Sequence, residues 1–245
     1  SHVREFAWND LEELGDLLKE HEDEVAAIVL TPYHHAAFGP SEMPAEGFWE
    51  GVQELCREKG VVLILDDVRA GSRLHDGGSH RFFGFTPDLA CYSKALGNGY
   101  AISACVGREE YRKAAGDVFL TGSCWNDAVA MAAAKKCLEA ATQRKVVEKL
   151  GNLGRRLAEG LESAAREHGF GFRMTGPPAM PFPWFEEDEN LYLLQEFCSR
   201  CCEQGVFFHP HHNWFLCGAH DETVIDNAVT VASTTFSKLR EDAED

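Results

Sequence analysis

The chain is poor in basic residues, with 23 Lys and Arg against 40 Asp and Glu, and its formal net charge is -17. Nucleic acids and anionic membrane surfaces are bound through Lys and Arg, so this deficit argues against both as partners. No apolar run approaches the length of a membrane span, and the first ten residues contain no hydrophobic signal segment. We therefore expect a cytoplasmic globular protein, and 245 residues suffice for one large domain or two modest ones.

Motifs that mark several common enzyme classes are also absent. Asp66-Asp67 follows an apolar run, but the chain contains no G-x-x-x-x-G-K-[ST] loop, which argues against a nucleotide hydrolase. Gly97-x-Gly99 lacks the third glycine and the following helix of a dinucleotide-binding fingerprint. There is no G-x-S-x-G nucleophile motif and no H-E-x-x-H zinc motif.

Cysteine and histidine are present in numbers that call for an interpretation. Nine cysteines are an odd number and several lie in apolar segments, so without an export segment we expect reduced thiols. The run His209–His212 is rich in imidazole, yet adjacent strand residues point to opposite faces and do not converge on one ion. Cys198–Cys202 has no second cysteine pair at zinc spacing. We expect no metal site, and a metal-binding protein using His209–His212 is kept as an alternative.

The first part of the chain predicts a β-α-β unit. Residues 9–21 have helical spacing of leucines after a capping box that begins at Asn9. The run Glu24–Leu30 reads as a buried strand, a helix begins near Phe48 and ends at Gly60, and Val61–Leu65 is a second strand buried on both faces. A helix between two such strands predicts that they are parallel neighbours.

The remaining chain predicts more strands and then a change in the hydrophobic pattern. Asp88–Tyr92 is a short strand, and Ala101–Val106 pairs with it like a hairpin. From about residue 143 a long amphipathic helix leads into a mixed region, so we expect a large domain over 1–145 and a small domain over 146–245. In the small domain we expect short strands at Val206–Phe208 and Trp214–Cys217, a closing helix over Glu222–Leu239, and no central strand or helix in the proline-rich GPPAMPFPWF.

The stretch Val61–Gly99 holds the predicted chemistry. Asp66 follows one buried strand and Lys94 follows the next, with a glycine-rich turn after it. Ligands of open α/β sheets bind outside the carboxyl ends of the strands. We therefore expect an acid and an amine, 28 residues apart in sequence, to face one crevice.

These two segments, LILDDVRAGSR and PDLACYSKALGNG, resemble the paired motif of class-III pyridoxal-phosphate aminotransferases, in particular the branch that includes glutamate-1-semialdehyde aminomutase. The resemblance implies fold type I, with a mostly parallel sheet in the large domain and an α+β small domain. It implies that Asp66 pairs with the pyridine nitrogen of pyridoxal 5'-phosphate and that Val68 packs under the ring. Lys94 falls on the Schiff-base lysine of the family, which also acts as its general acid and base.

The same resemblance implies a homodimer and an aminotransferase activity. Gly122-Ser123 falls on the pair that reaches the cofactor phosphate of the neighbouring subunit. The reaction implied is amino-group transfer between an amino compound and a keto acid or aldehyde. An aminomutase or racemase on the same scaffold is the alternative, and a non-catalytic relative is another. The first half of the family, with its phosphate loop and stacking aromatic residue, has no counterpart here, so we expect part of the large-domain sheet to be missing.

Departures from the family pattern surround the expected substrate pocket. Thr31-Pro32-Tyr33 stands where the family has Glu-Pro-Val, and Ser72 replaces the phenylalanine of Gly-Phe-Arg. Aromatic and imidazole side chains indicate an aromatic or bulky amine as substrate, and these are Tyr33, His34, His35, His211 and Trp214.

Overall fold

A computed structural model describes residues 2–35 and 38–244 of the chain. The backbone divides into two compact units. Unit one comprises Ser1–Pro32 and Pro44–Arg144, and unit two comprises Tyr33–Met43 and Lys145–Asp245. Among the described residues, no helix is both long and apolar enough to cross a membrane.

Unit one is built on a four-stranded sheet in the order β1-β2-β3-β4. Its first three strands are parallel, and β4 is antiparallel to β3. The crossover from β1 to β2 and the hairpin-like pair of β3 and β4 are thus confirmed. The strands are β1 (Ala27–Leu30), β2 (Val62–Asp66), β3 (Leu89–Tyr92) and β4 (Ala104–Gly107).

In the described part of unit one, five α-helices accompany this sheet, and the first begins two residues later than the span 9–21 that the sequence indicated. Asp10 is the N-cap and accepts a hydrogen bond from the Glu13 backbone N–H. Asn9 has a positive φ of 67° and its side chain accepts from the Ala45 backbone N–H at 2.8 Å, so it is not available as the cap. The helices are α1 (Leu11–Glu20), α2 (Phe48–Lys59), α3 (Ser79–Phe83), α4 (Arg112–Asp117) and α5 (Ala128–Gln143).

The core of unit one lies on one face of the sheet, under α1 and α2. Alternate residues of β2, Leu63 and Leu65, are buried there, and Trp49 of α2 stacks on Phe85 at 3.8 Å. The expectation that β2 is buried on both faces is wrong, because Ile64 and its alternate neighbours on the other face are only half-buried. This other face of the sheet also carries Asp66 and Cys91.

Unit two packs three helices on a two-stranded antiparallel sheet. Phe172, Phe185, Phe197 and Phe236 form an aromatic cluster at its centre, with ring centroids 4.7 to 6.1 Å apart. The elements are α6 (Val146–Glu167), β5 (Phe172–Thr175), β6 (Phe182–Phe185), α7 (Tyr192–Glu203) and α8 (Glu222–Glu244).

One prediction for unit two needs correction. The proline-rich segment contains no central strand, as predicted, but it does contain β6, which tolerates Pro183 because both strands of a two-stranded sheet are edges. The strands predicted at Val206–Phe208 and Trp214–Cys217 are absent from the described structure. Instead, the backbone N–H of Trp214 donates to the Pro181 carbonyl at 2.8 Å, and that of Leu216 to Ala179 at 3.1 Å.

Candidate active site

Asp66 and Lys94 lie at the carboxyl ends of adjacent parallel strands. Asp66 is the last residue of β2 and is opposite Cys91 of β3 in the sheet register. Lys94 follows the end of β3 by two residues. The parallel pairing of β2 and β3 therefore brings the acid and the amine to the same edge of the sheet, where α/β folds bind ligands.

The two consecutive carboxylates at the end of β2 have different environments. Asp66 is half-buried, and its Oδ1 accepts from the Val68 backbone N–H at 3.2 Å. Asp67 is only 1% exposed, and its Oδ2 accepts from the Ser79 backbone N–H at 2.8 Å. Burial raises the pKa of Asp67, the hydrogen bond from Ser79 lowers it, and the Asp66 charge raises it. Asp67 thus anchors the start of α3, and Asp66 is the carboxylate open to a ligand.

A buried polar cluster surrounds Asp67. Within the described residues, Asp67 Oδ1, Ser79 Oγ and His80 Nδ1 are buried without a hydrogen-bond partner. Tyr92 lies against the same group, and burial together with the Asp67 charge raises the pKa of Tyr92 to about 12. A neutral tyrosine beside a buried acid indicates that this cluster has a structural role. It is therefore distinct from the candidate site at the sheet edge, which holds Asp66.

Lys94 is held by its backbone while its side chain is exposed. It begins a short 3-10 helix, Lys94–Leu96, with a positive φ of 46°. Ser93 Oγ donates to the Ile102 carbonyl at 3.0 Å, and the Asn98 backbone N–H donates to the Lys94 carbonyl at 3.2 Å. No ion pair involves its ammonium among the residues that the structure describes. A lysine whose backbone is held in the left-handed conformation and whose amine is free is typical of a functional site.

The loop after Asp67 is shaped by a close backbone approach at Gly71. A Cβ at this position would lie 2.6 Å from the Asp67 carbonyl oxygen and 2.7 Å from the Tyr92 ring. Ser72 follows with a positive φ of 63°, and Arg73 Nε donates to the Arg69 carbonyl at 3.0 Å. The glycine that matches the family motif is therefore required by packing, and Arg73 stabilises the same turn.

Asp88 explains the Pro-Asp pair of the motif. Its Oδ2 accepts from the Leu63 backbone N–H at 2.8 Å, and its Oδ1 accepts from Arg108 Nη1 at 2.8 Å. Asp88 therefore ties β2 to the residue that follows β4. Arg108 was not identified from the sequence, because an arginine 20 residues away on an exposed segment shows no local pattern.

Gly122 and Ser123 lie on the exposed segment between α4 and α5. The Gly122 carbonyl accepts from the Trp125 backbone N–H at 3.0 Å, which closes a turn. Gly122 and Ser93 line a cavity of about 650 Å³, together with Ile102 and Trp125. Ser93, which lines this cavity, directly precedes Lys94 in the chain, although neither Lys94 nor Asp66 lines the cavity.

The residues expected to contact substrate are all in unit two. Tyr33 is completely buried, and the edge of its ring contacts His35 at 5.6 Å between centroids. The backbone of exposed His34 pairs with Glu42 through hydrogen bonds of 2.9 and 2.8 Å. This backbone bridge between His34 and Glu42 fixes the position of His34, so that its imidazole is presented to solvent.

A second group lies in the loop before α8. Trp214 is 9% exposed, stacks on Phe208 at 4.1 Å, and donates from Nε1 to the His209 carbonyl at 2.8 Å. His211 is half-buried, with its ring 5.6 Å from that of Phe38. Trp214 and Tyr33 are thus packing residues, and His34, His35 and His211 are the accessible members of the predicted set. Over residues 2–35 and 38–244, no three His, Cys, Asp or Glu side chains are placed to hold a metal ion.

Comparison with known proteins identifies the family. A model of the class-III aminotransferase family matches residues 4–235, so the chain belongs to that family. It is 36% identical over 241 residues to an aminopentol aminotransferase of Sphingopyxis macrogoltabida, covering 98% of this chain and 57% of that protein. It is 35% identical to a 3-aminobutyryl-CoA aminotransferase of Cloacimonas acidaminovorans, over 97% of this chain and 58% of the other. The family predicted from the sequence is confirmed.

Solved structures confirm the fold. The structure of the PLP internal aldimine form of the FumI protein of Sphingopyxis sp. MTA144 superposes with a TM-score of 0.96 at 35% identity. The superposition covers 99% of this chain and 59% of FumI. A transaminase with PLP bound has the same fold, with a TM-score of 0.87 at 19% identity. The chain thus spans somewhat more than half the length of its relatives, between 57% and 59%.

Proposed function

We propose that this chain is part of a pyridoxal-phosphate-dependent aminotransferase that moves an amino group between an amino compound and a keto acid or aldehyde. The observation that carries the proposal is the placement of Asp66 and Lys94 at the ends of two adjacent parallel strands, in a chain of the class-III aminotransferase family. Pyridoxal phosphate has a ring nitrogen that requires an acid partner and an aldehyde that requires an amine. A half-buried carboxylate with one described hydrogen bond and an exposed amine fit these requirements.

Each residue has a distinct role in this proposal. When bound, pyridoxal phosphate supplies a conjugated ring that takes up electrons from the substrate carbon. The Asp66 carboxylate would hold a proton on the ring nitrogen, and Val68 would pack against the ring. Lys94 Nζ would hold the cofactor through its aldehyde and would carry a proton between substrate atoms as general acid and base. Because the Lys94 backbone is fixed, its amine can move only within the length of the lysine side chain.

The substrate class rests on the imidazole and aromatic residues of unit two. His34, His35 and His211 supply polar rings. Buried Tyr33 contacts the His35 ring, and buried Trp214 donates to the His209 carbonyl. These residues favour a bulky or aromatic amine. The relatives named aminopentol aminotransferase and 3-aminobutyryl-CoA aminotransferase are almost equally similar to this chain, so similarity alone does not select between substrates.

A homodimer in the cytoplasm is the proposed assembly and location. The segment around Phe119 supports an interface, because Val118, Phe119 and Leu120 are 57%, 89% and 57% exposed. Three consecutive exposed apolar side chains are unusual on a free surface and are typical of a contact surface. We assign the cofactor-binding domain to 1–145 and the small domain to 146–245, with Ser123 reaching the cofactor phosphate of the neighbouring subunit.

Borohydride reduction followed by peptide mapping tests the central assignment. Reduction in the presence of pyridoxal phosphate should attach the cofactor to Lys94 and thereby block tryptic cleavage there, so that a labelled 82–108 peptide appears. Lys94→Ala should abolish the label, and Lys113→Ala, which removes another exposed lysine, should not. A label on another lysine would contradict the assignment.

An aminomutase is the second candidate. One relative, 31% identical over 258 residues, is the glutamate-1-semialdehyde 2,1-aminomutase of Syntrophobacter fumaroxidans. An aminotransferase should retain the amino group on the cofactor after the donor product is removed, and a keto acid should then discharge it. An aminomutase or racemase should convert its substrate without a second keto compound. A protein that shows neither behaviour and binds no cofactor would be a non-catalytic relative.

A further inference from the structure

Two cysteines face each other across β3 and β4. The register places Cys91 directly opposite Cys105. The Arg108 backbone N–H donates to the Asp88 carbonyl at 3.0 Å, so Asp88 and Arg108 are a hydrogen-bonded pair of this antiparallel ladder. Hydrogen-bonded and non-hydrogen-bonded pairs alternate along such a ladder. Cys91 and Cys105 are three positions along from Asp88 and Arg108, and they are therefore a non-hydrogen-bonded pair.

This position suits a disulfide. Opposite residues in a non-hydrogen-bonded pair have Cα atoms about 4.5 Å apart and side chains on the same face of the sheet. A disulfide requires a Cα separation of about 4.4 to 6.8 Å. The pair therefore meets the requirement without backbone movement. The two thiols also interact, since burial and the nearby Cys105 thiol raise the pKa of Cys91.

Both sulfurs are free, and one of them is accessible. Cys105 is exposed and lines the 650 Å³ cavity, and Cys91 is half-buried behind it. Cys56, Cys198 and Cys201, by contrast, are buried. Burial keeps these three thiols away from small disulfides in solution and also raises their pKa.

We propose that Cys91 and Cys105 are a redox modification site that forms a reversible cross-strand disulfide, with a low-molecular-weight disulfide such as oxidised glutathione as the oxidant. The Cys105 thiolate attacks the small disulfide, forms a mixed disulfide and releases one reduced thiol. The Cys91 thiolate then attacks the Cys105 sulfur and releases the second reduced thiol. Two protein thiols are oxidised, one small disulfide is reduced to two thiols, and the protons of the protein thiols pass to the departing thiolates through solvent.

The cross-link would enclose the segment that carries Lys94. Residues 92–104, which lie between the two cysteines, include Lys94 and the turn that follows it. Cys91 is also opposite Asp66 in the register of β2 and β3. Oxidation would therefore tie together the two strands that bound this segment, immediately beside Asp66. The inference goes beyond the proposed reaction, because it depends only on the geometry of β3 and β4.

Non-reducing peptide mapping of the full chain tests the proposal. Trypsin cuts at Arg81, Lys94 and Arg108, so it separates the two cysteines into peptides 82–94 and 95–108, each with a single cysteine. Dilute protein is incubated with oxidised glutathione at mildly alkaline pH, and the remaining thiols are alkylated before digestion. We expect a disulfide-linked pair of these two peptides, with loss of both free thiols and full recovery on reduction.

Matched variants give the controls. Cys105→Ser should abolish the linked pair and leave Cys91 as a free thiol, and Cys202→Ser, at another exposed cysteine, should leave the linked pair unchanged. Oxidation of the wild-type chain should also slow amide hydrogen exchange within 95–103. Stable glutathionylation of Cys105 with a free Cys91 thiol would overturn the proposal, and so would a disulfide between chains or between other cysteines.

Discussion

Replacing Asp66 and Asp67 by alanine, one at a time, should separate cofactor binding from stability. Asp67 is 1% exposed and accepts from the Ser79 backbone N–H at 2.8 Å, so Asp67→Ala leaves a buried donor without that acceptor. Such a loss destabilises a protein by about 1 to 3 kcal/mol. Asp66 is half-buried and accepts one hydrogen bond of 3.2 Å from Val68, so Asp66→Ala should lower the free energy of unfolding by only about 0.5 to 1.5 kcal/mol.

The order of effects on cofactor binding should be the reverse. A hydrogen bond between the ionised Asp66 and a protonated ring nitrogen is a charged interaction of about 1.5 to 3 kcal/mol. Its removal should raise the Kd for pyridoxal phosphate by about 10- to 100-fold. Asp67 points into the cluster with Ser79, so its replacement should change this Kd by less than about threefold.

Two measurements on the same variants check this order. Urea unfolding without cofactor gives the free energy of unfolding, and an absorbance titration with pyridoxal phosphate gives the Kd. Asp67→Asn retains a hydrogen-bond acceptor for Ser79 and should bind cofactor like the wild type. Equal changes in Kd for Asp66→Ala and Asp67→Ala would mean that the wrong carboxylate has been assigned to the ring nitrogen. Wild-type stability of Asp67→Ala would refute its anchoring role.

Three other predictions follow from contacts near the site. Burial raises the pKa of Asp67 above its unfolded value of about 3.9, so the part of its stability contribution that comes from this pKa shift is full below about pH 4 and is lost as pH rises through the raised pKa. The unfolding free energy of Asp67→Asn minus that of the wild type should therefore increase from about pH 4 toward neutrality in urea titrations, and a constant difference would contradict this. Gly71→Ala should destabilise the protein by about 1 to 3 kcal/mol because its Cβ would meet the Asp67 carbonyl at 2.6 Å, whereas Gly116→Ala, with open space around it, should not lower the melting temperature. Asp88→Ala removes the acceptor of a backbone N–H and should lower the free energy of unfolding in urea by about 1 to 3 kcal/mol. The loss for exposed Arg108→Ala should be below about 1 kcal/mol, and equal losses would place the main role of Asp88 in the ion pair.

Much of unit one could be predicted from the sequence because its determinants are local. Gly60 ends α2 with a φ of 66°, a conformation that glycine adopts without strain. The helix between two apolar strands required a parallel crossover from β1 to β2. The parallel pairing of β2 with the next strand, β3, placed Asp66 and Lys94 at one sheet edge. The family motif itself is also a local pattern of residue types.

The remaining features depend on contacts between distant residues. Alternation along an extended chain separates Asp66 from Asp67, but only contacts with Ser79 of α3 and with Tyr92 decide which of the two is buried. The five-residue helix α3 is too short for a periodic pattern, and it begins where Asp67 accepts from Ser79. The loop at Trp214 reads as a strand by composition, yet its hydrogen bonds go to residues 179–181 instead of a ladder.

The sequence by itself determined the family, the parallel order of the strands, and the positions of the acid and the amine, because apolar runs, glycine ends and motif spacing are written along the chain. Only the tertiary structure decided which carboxylate is open, what Asp88 binds, and that Cys91 faces Cys105. Each of these depends on which residues become neighbours across the sheet, and the register of β3 and β4 is fixed by the packing of the whole unit.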